Sequence, residues 1–198
     1  MTANRIASLL SGVLVAITAA SCGASAPARF YTLDSKATAD GKPAASYGVA
    51  IGMVSVPAAV DRPQLVVQVA PNRVEIDEFN RWAAPLGDSI AGVVAEDLSV
   101  LLGTPNVATA PAANFDPSYR VTIDVQRFDS IPGDAVVIEA SWAVSRMNGD
   151  RLHSGRTTAR ESVQSQDVDE LVAAHSSALT RLSGDIAAAI RASAKPAR

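Results

Sequence analysis

The chain has 198 residues, 48% hydrophobic and 19% charged, with a net charge of −3; that composition suits one globular domain, or one domain with a tail. A net acidic chain without a run of Lys or Arg offers no cationic footprint for nucleic acid. One cysteine and two histidines exclude an internal disulfide and a Cys/His zinc site, and no cofactor or metal is expected.

In chain order, Arg5 and an apolar run over residues 6–17 come first. Twelve residues are too short for a bilayer span and suit the h-region of a signal peptide. Small residues then lead to the only cysteine, in Ala19-Ala20-Ser21-Cys22, which resembles a bacterial lipobox. The expectation is a signal peptide over residues 1–21, acylation at Cys22, a tether over residues 22–29 and one domain over residues 30–198. Gly23, where an Asp would favour retention at the inner membrane, points to the outer membrane. Two or more acyl chains anchor a protein stably.

Residues 30–33 read as a short strand, followed by a polar loop over residues 35–46. Residues 47–56, 64–69 and 73–79 read as three further strands, the last with Val74 and Ile76 on one face and Arg73, Glu75 and Asp77 on the other. Leu86, Ile90, Val94, Leu98, Leu101 and Leu102 form a helical stripe that Gly103 stops. A brief strand near Val107 and alternating strands over residues 119–128 and 135–147 come next. Asn148-Gly149 marks a hairpin turn, and residues 151–163 return as a more polar strand. A final helix carries Val168, Leu171, Val172, His175, Leu179, Leu182, Ile186 and Ile190 on one face, with Asp167 and Glu170 as a capping box. The expected fold is α+β: a two-layer α/β sandwich with a mixed or antiparallel sheet and two main helices on one face.

No catalytic pattern emerges. His153 on the polar strand and His175 on the apolar helix face suit structural or incidental roles. The acidic groups at Glu75/Asp77/Glu78, Glu96/Asp97 and Asp167/Asp169/Glu170 lack EF-hand spacing. Neither a phosphate-binding loop nor a Gly-x-Ser-x-Gly elbow is present. A rigid contact surface is instead suggested where Asp61-Arg62 lies between Pro57 and Pro63, with Arg81-Trp82 at the helix entrance. The competing reading makes the Arg a loop lock and the Trp a wedge under the helix. Besides a protein that works through such a contact surface, two other classes stand open. A lipid carrier would need an apolar pocket of its own, and a hydrolase would need carboxylates or a Ser–His pair converging in a cleft.

Phe30-Tyr31-Thr32-Leu33 after the cysteine, Val54-Ser55-Val56-Pro57, Asp61-Arg62-Pro63-Gln64, Arg81-Trp82-Ala83-Ala84-Pro85-Leu86 at a helix start, the strand over residues 119–129, Trp142 and the terminal helix together resemble the ABC-type transport auxiliary lipoprotein family. Ala59-Val60 and Ala84 depart from the residues that members often carry there. The resemblance implies a non-enzymatic periplasmic subunit at the outer membrane that docks an MCE-type (mammalian cell entry) lipid transporter. It also leaves room for a homo-oligomer that meets a ring-shaped partner.

Overall fold

The computed structural model describes residues 27–109 and 115–194; the lipidation reading at Cys22 lies outside the described residues. In chain order the elements are β1 (Arg29–Tyr31), β2 (Val49–Ser55), β3 (Gln64–Ala70), β4 (Arg73–Trp82), α1 (Leu86–Leu102), β5 (Val107–Ala108), β6 (Tyr119–Ile131), β7 (Ala135–Arg146), β8 (Arg151–Ser162) and α2 (Val168–Ala194). The α+β class and both helices agree with the sequence pattern.

The strands divide between two sheets rather than one. A five-stranded sheet has the order β5-β2-β6-β7-β8, and a three-stranded sheet the order β1-β4-β3. Both are mixed, because β2 runs parallel to β5 and β6, and β1 runs parallel to β4, while the hairpin neighbours are antiparallel. Period-2 alternation buries Val121, Ile123 and Val125 of β6, Ile138, Ala140 and Val144 of β7, and Thr157 and Ala159 of β8. The helices close over that face. Leu86, Ile90, Val94, Leu98 and Leu102 of α1 and Leu171, Leu179, Leu182, Ile186 and Ile190 of α2 are almost wholly buried there, and removing these side chains from water stabilises the fold.

The three-stranded sheet differs from its sequence pattern. Val74 is 57% exposed and Ile76 43% exposed, so the face expected to be dry is wet. The reason is tertiary: the helices pack on β2, β7 and β8, and the outer part of the β3–β4 ribbon reaches past them.

Helix ends follow local chemistry. Gly103 takes φ 66°, and it and Thr104 return N–H groups to Val100 and Ser99, a left-handed cap that glycine adopts without strain. At the start of α2, the Asp167 carboxylate accepts the Asp169 N–H at 3.2 Å. Glu170 does not close the expected box on Asp167. Its carboxylate accepts the backbone N–H groups of Gln164 and Ser165 and the Ser165 hydroxyl, and these bonds hold it below the ordinary Glu range.

Between β1 and β2 an extended strap lies across the helix pair. The Asp34 N–H donates to Ser176 Oγ at 3.2 Å, the Lys36 N–H to Thr180 Oγ1 at 3.3 Å and the Ala45 N–H to the Leu102 carbonyl at 2.8 Å. Asp97 accepts the Ser35 hydroxyl and the Ala37 N–H. Arg191 donates to the carbonyls of Pro43 and Leu101 at 2.9 and 2.8 Å.

In the helix-facing layer, the Trp142 indole donates to Thr157 Oγ1 at 3.0 Å, and that hydroxyl donates to Asp185. Gly155 makes room for the indole: a Cβ there would sit 2.4 Å from Cζ2 of Trp142. Gly155→Val is expected to lose roughly 1–3 kcal/mol of stability through overpacking. A lowered urea midpoint at constant slope would report it; an unchanged midpoint would show that the indole moves aside freely.

Candidate functional site

The segments singled out in the sequence lie together. After β2 the chain turns at Pro57, whose carbonyl accepts the N–H groups of Val60 and Asp61 at 3.0 and 3.1 Å, and the Arg62 N–H reaches the Val60 carbonyl at 2.8 Å. Pro63 ends the loop, and its carbonyl accepts the Trp82 N–H at 2.7 Å. Gln64 then stands opposite Arg81. Two prolines and four backbone hydrogen bonds thus hold the Asp61-Arg62 turn beside Arg81-Trp82 with little conformational freedom.

The side chains divide into inward and outward groups. Trp82 is 6% exposed. Its ring meets Phe128 edge-to-face at 6.0 Å and His175 at 6.2 Å, while Phe128 and His175 stack at 3.9 Å and 2°. Trp82 is therefore a core wedge, and any contribution to a contact surface runs through the backbone it holds. Asp61 and Pro63 are exposed, and Pro57, Arg62 and Arg81 are half-buried. Arg81 donates to the Glu78 carbonyl at 3.0 Å and lies 3.7 Å from its carboxylate. Arg62 buries Nε without an acceptor among the described residues.

Sequence reasoning passed over Phe30 and Phe79 as contact residues. Phe30 stands in register beside Arg81 and is 65% exposed; Phe79 is 47% exposed. A strand of three residues gives no alternation from which the outward direction of Phe30 can be read. At Phe79 the ladder jumps from Leu65/Asp77 to Gln64/Arg81. Asp77 Oδ1 accepts the N–H groups of Phe79 and Asn80 inside that irregularity, both at 3.0 Å.

The structure also contains a Ser–His pair. Ser130 Oγ lies 2.8 Å from His175 Nε2. Ser130 is 3% exposed and His175 0%, and Nδ1 has no partner among the described residues. A nucleophilic pair needs access and a third group that orients the base. This one has neither and serves the core. Among the described residues no group of three or more His, Cys, Asp or Glu is placed to hold a metal, and no helix is long and apolar enough to cross a membrane.

The chain thus forms an open α+β scaffold that holds a rigid loop beside exposed aromatics, over a core that contains His175. The fold matches solved structures. A Xanthomonas campestris protein of the DUF330 family shares 21% identity with a TM-score of 0.71, over 84% of this chain and 96% of its own. A second, uncharacterized protein shares 22% with a TM-score of 0.69, over 83% and 99%. A model of the ABC-type transport auxiliary lipoprotein component family matches residues 31–187, and the chain belongs to that family. No curated protein matches it.

Complete burial pushes the His175 pKa down from 6.5 to about 3, because the charged form loses its hydration. In the unfolded chain His175 takes up a proton below pH 6.5, whereas the folded protein resists until about pH 3. The stability that depends on neutral His175 is thus complete above pH 6.5 and is lost as pH falls below it, at up to about 1.4 kcal/mol per pH unit. Urea titrations at pH 7, 6 and 5 should show this decline in the native protein and a flatter profile in His175→Gln. Parallel profiles would contradict the assignment.

Proposed function

We propose that the chain is the outer-membrane-anchored, non-catalytic adaptor of an MCE-type lipid transport system, and that it docks the periplasmic part of the transporter. The family match over residues 31–187 carries the transport role. In this reading residues 1–21 are a removed signal peptide, Cys22 is acylated and residues 30–198 form one domain. The docking surface is the Pro57–Pro63 loop with Asp61 and Pro63 outermost and Arg62 half-buried between them, joined by Arg81, Phe30 and Phe79. Trp82 supports it from beneath. The exposed aromatics beside Arg81 support this choice, since aromatic and Arg side chains dominate contact energies where a partner excludes water. A homo-oligomer facing a ring-shaped transporter is compatible with this arrangement.

Anchor and surface are close in the chain. β1 begins at Arg29, seven residues after Cys22, and pairs with the end of β4 that carries Arg81. Seven extended residues span at most about 25 Å, and this short reach supports a docking surface close to the membrane.

Crosslinked pull-downs from membranes test docking. The native protein should bring down an MCE-domain protein, and Phe30→Asp with Arg81→Glu should reduce its recovery about tenfold or more. Undiminished recovery would move the docking surface elsewhere, and absence of an MCE protein from the native sample would remove the proposed partner. Independently, Cys22→Ala should leave the membrane fraction and weaken the outer-membrane permeability barrier. An intact barrier with the soluble variant would overturn the need for anchoring.

A further inference from the structure

Strand β2 carries a bulge that the docking surface does not use. Ile51 pairs with Val121 and Val54 with Ile123, so Gly52 and Met53 together oppose Thr122 alone. Two residues facing one bend a strand and re-aim a side chain. Glycine suits position 52, where a Cβ would lie 3.1 Å from the Val121 carbonyl oxygen and would press the neighbouring strand aside. The re-aimed residue is Met53, which is 85% exposed, an outlying value for a flexible apolar side chain.

Met53 separates two grooves. One is a cleft of about 620 Å³ beside the first turns of α1, lined by Ala50, Ala91, Phe115, Met147 and Arg120, with Asp88 on its helix wall. The other, about 560 Å³, crosses the outer sheet face over Thr122, Ala143 and Ser154 and includes Arg151 and, at its other end, Asp124, whose carboxylate accepts the Ser55 hydroxyl and the Gln126 amide. Register lines up Arg120, Ser145 and Arg151 on neighbouring strands, so the two arginines stand about 10 Å apart across the sheet.

Charge on this outer face is unevenly compensated. Toward the far end of the strands, Arg127 pairs with Asp129 and Glu139, Arg156 with Glu139, and Arg160 with Asp134. Arg120 and Arg151 enter no ion pair among the described residues. We infer that the Met53 grooves form a binding site for an anionic amphiphile: an acyl chain lies among Met53, Phe115, Ala91 and Met147, and a phosphate-bearing head is held by Arg120 and Arg151. The volumes fall within the range of small-molecule sites, and guanidinium groups suit phosphate. A peptide strand extending β5 along the later part of β2, beyond Ala50, is disfavoured, because the bulge breaks the ladder spacing it would need. This inference stands independently of the docking reading.

The test uses the full-length protein in its membrane. Met53 is replaced by the photocrosslinker p-benzoylphenylalanine in cells grown with radioactive phosphate, and Ser177, exposed on the opposite helix layer, serves as the control position. A phosphate-labelled, protein-sized adduct at position 53 and not at 177 is expected. It should fall about tenfold in Arg120→Glu with Arg151→Glu, and in Arg120→Gln with Arg151→Gln should the charge reversal prevent folding. Labelling at 53 no greater than at 177 would overturn the site. So would an adduct to another protein, which would make the grooves a protein contact, and a label indifferent to both arginines would overturn the assignment of the head. The protein's own acyl chains carry no phosphate, so they give no labelled adduct.

Discussion

Three rings join the parts of this protein. Trp82 comes from the three-stranded sheet, Phe128 from the five-stranded sheet and His175 from the helix layer, and they meet within 6.2 Å of one another. The geometry suits the ring quadrupoles: the indole stands nearly perpendicular to both rings of the stacked pair, at 74° and 76°. Because the imidazole is the buried member, the stack also needs Ser130 to satisfy Nε2. The outward loop depends on the same point, since Pro63 is held by the backbone N–H of Trp82. Displacing the indole would release both the sheet junction and the loop.

Elements that bury a whole stripe under one neighbour were legible in the sequence. The apolar residues of α1 and α2 predicted two helices, and those helices are buried on those stripes. The alternation of β6 and β7 likewise predicted a meander with one dry face. Local spacing failed where the answer depends on which element lies overhead. Val74 and Ile76 alternate as well as Val121 and Ile123, yet only the second pair lies under a helix. Nothing in a ten-residue window distinguishes them. Glu170 shows the same limit at smaller scale: the capping-box spacing was present, but its carboxylate found closer donors at Gln164 and Ser165.

For the candidate surface, the sequence identified the segments and not the directions of their side chains. Pro57, Asp61, Arg62, Pro63, Arg81 and Trp82 do come together, through strand pairing between positions 64 and 81. An Arg-Trp pair on adjacent strand positions must point to opposite sides. Which side is dry depends on a helix that starts four residues later and on another almost a hundred residues away. The burial of Trp82 and the exposure of Phe30 are consequences of that packing.

The distribution of covered and uncovered surface then orders the roles of the fold. The strap before β2 lies over the helix pair and uses outward groups of both helices, among them Asp97, Ser176, Thr180 and Arg191, in its own hydrogen bonds. That side is already occupied by the chain itself. The three-stranded sheet and the outer face of the five-stranded sheet remain for other molecules, and they differ in chemistry. The first presents fixed aromatics beside one arginine. The second is an ion-pair lattice at one end, where Arg127 and Arg156 hold the Glu139 carboxyl below its ordinary range, and bare guanidinium groups around a bulge at the other. A lattice that cancels its own charge gains little from a new ligand, because any added anion must compete with carboxylates already in place. At the Met53 end Asp88 and Asp124 line the grooves, but among the described residues neither pairs with Arg120 or Arg151, so an incoming anion meets guanidinium groups that no carboxylate already holds.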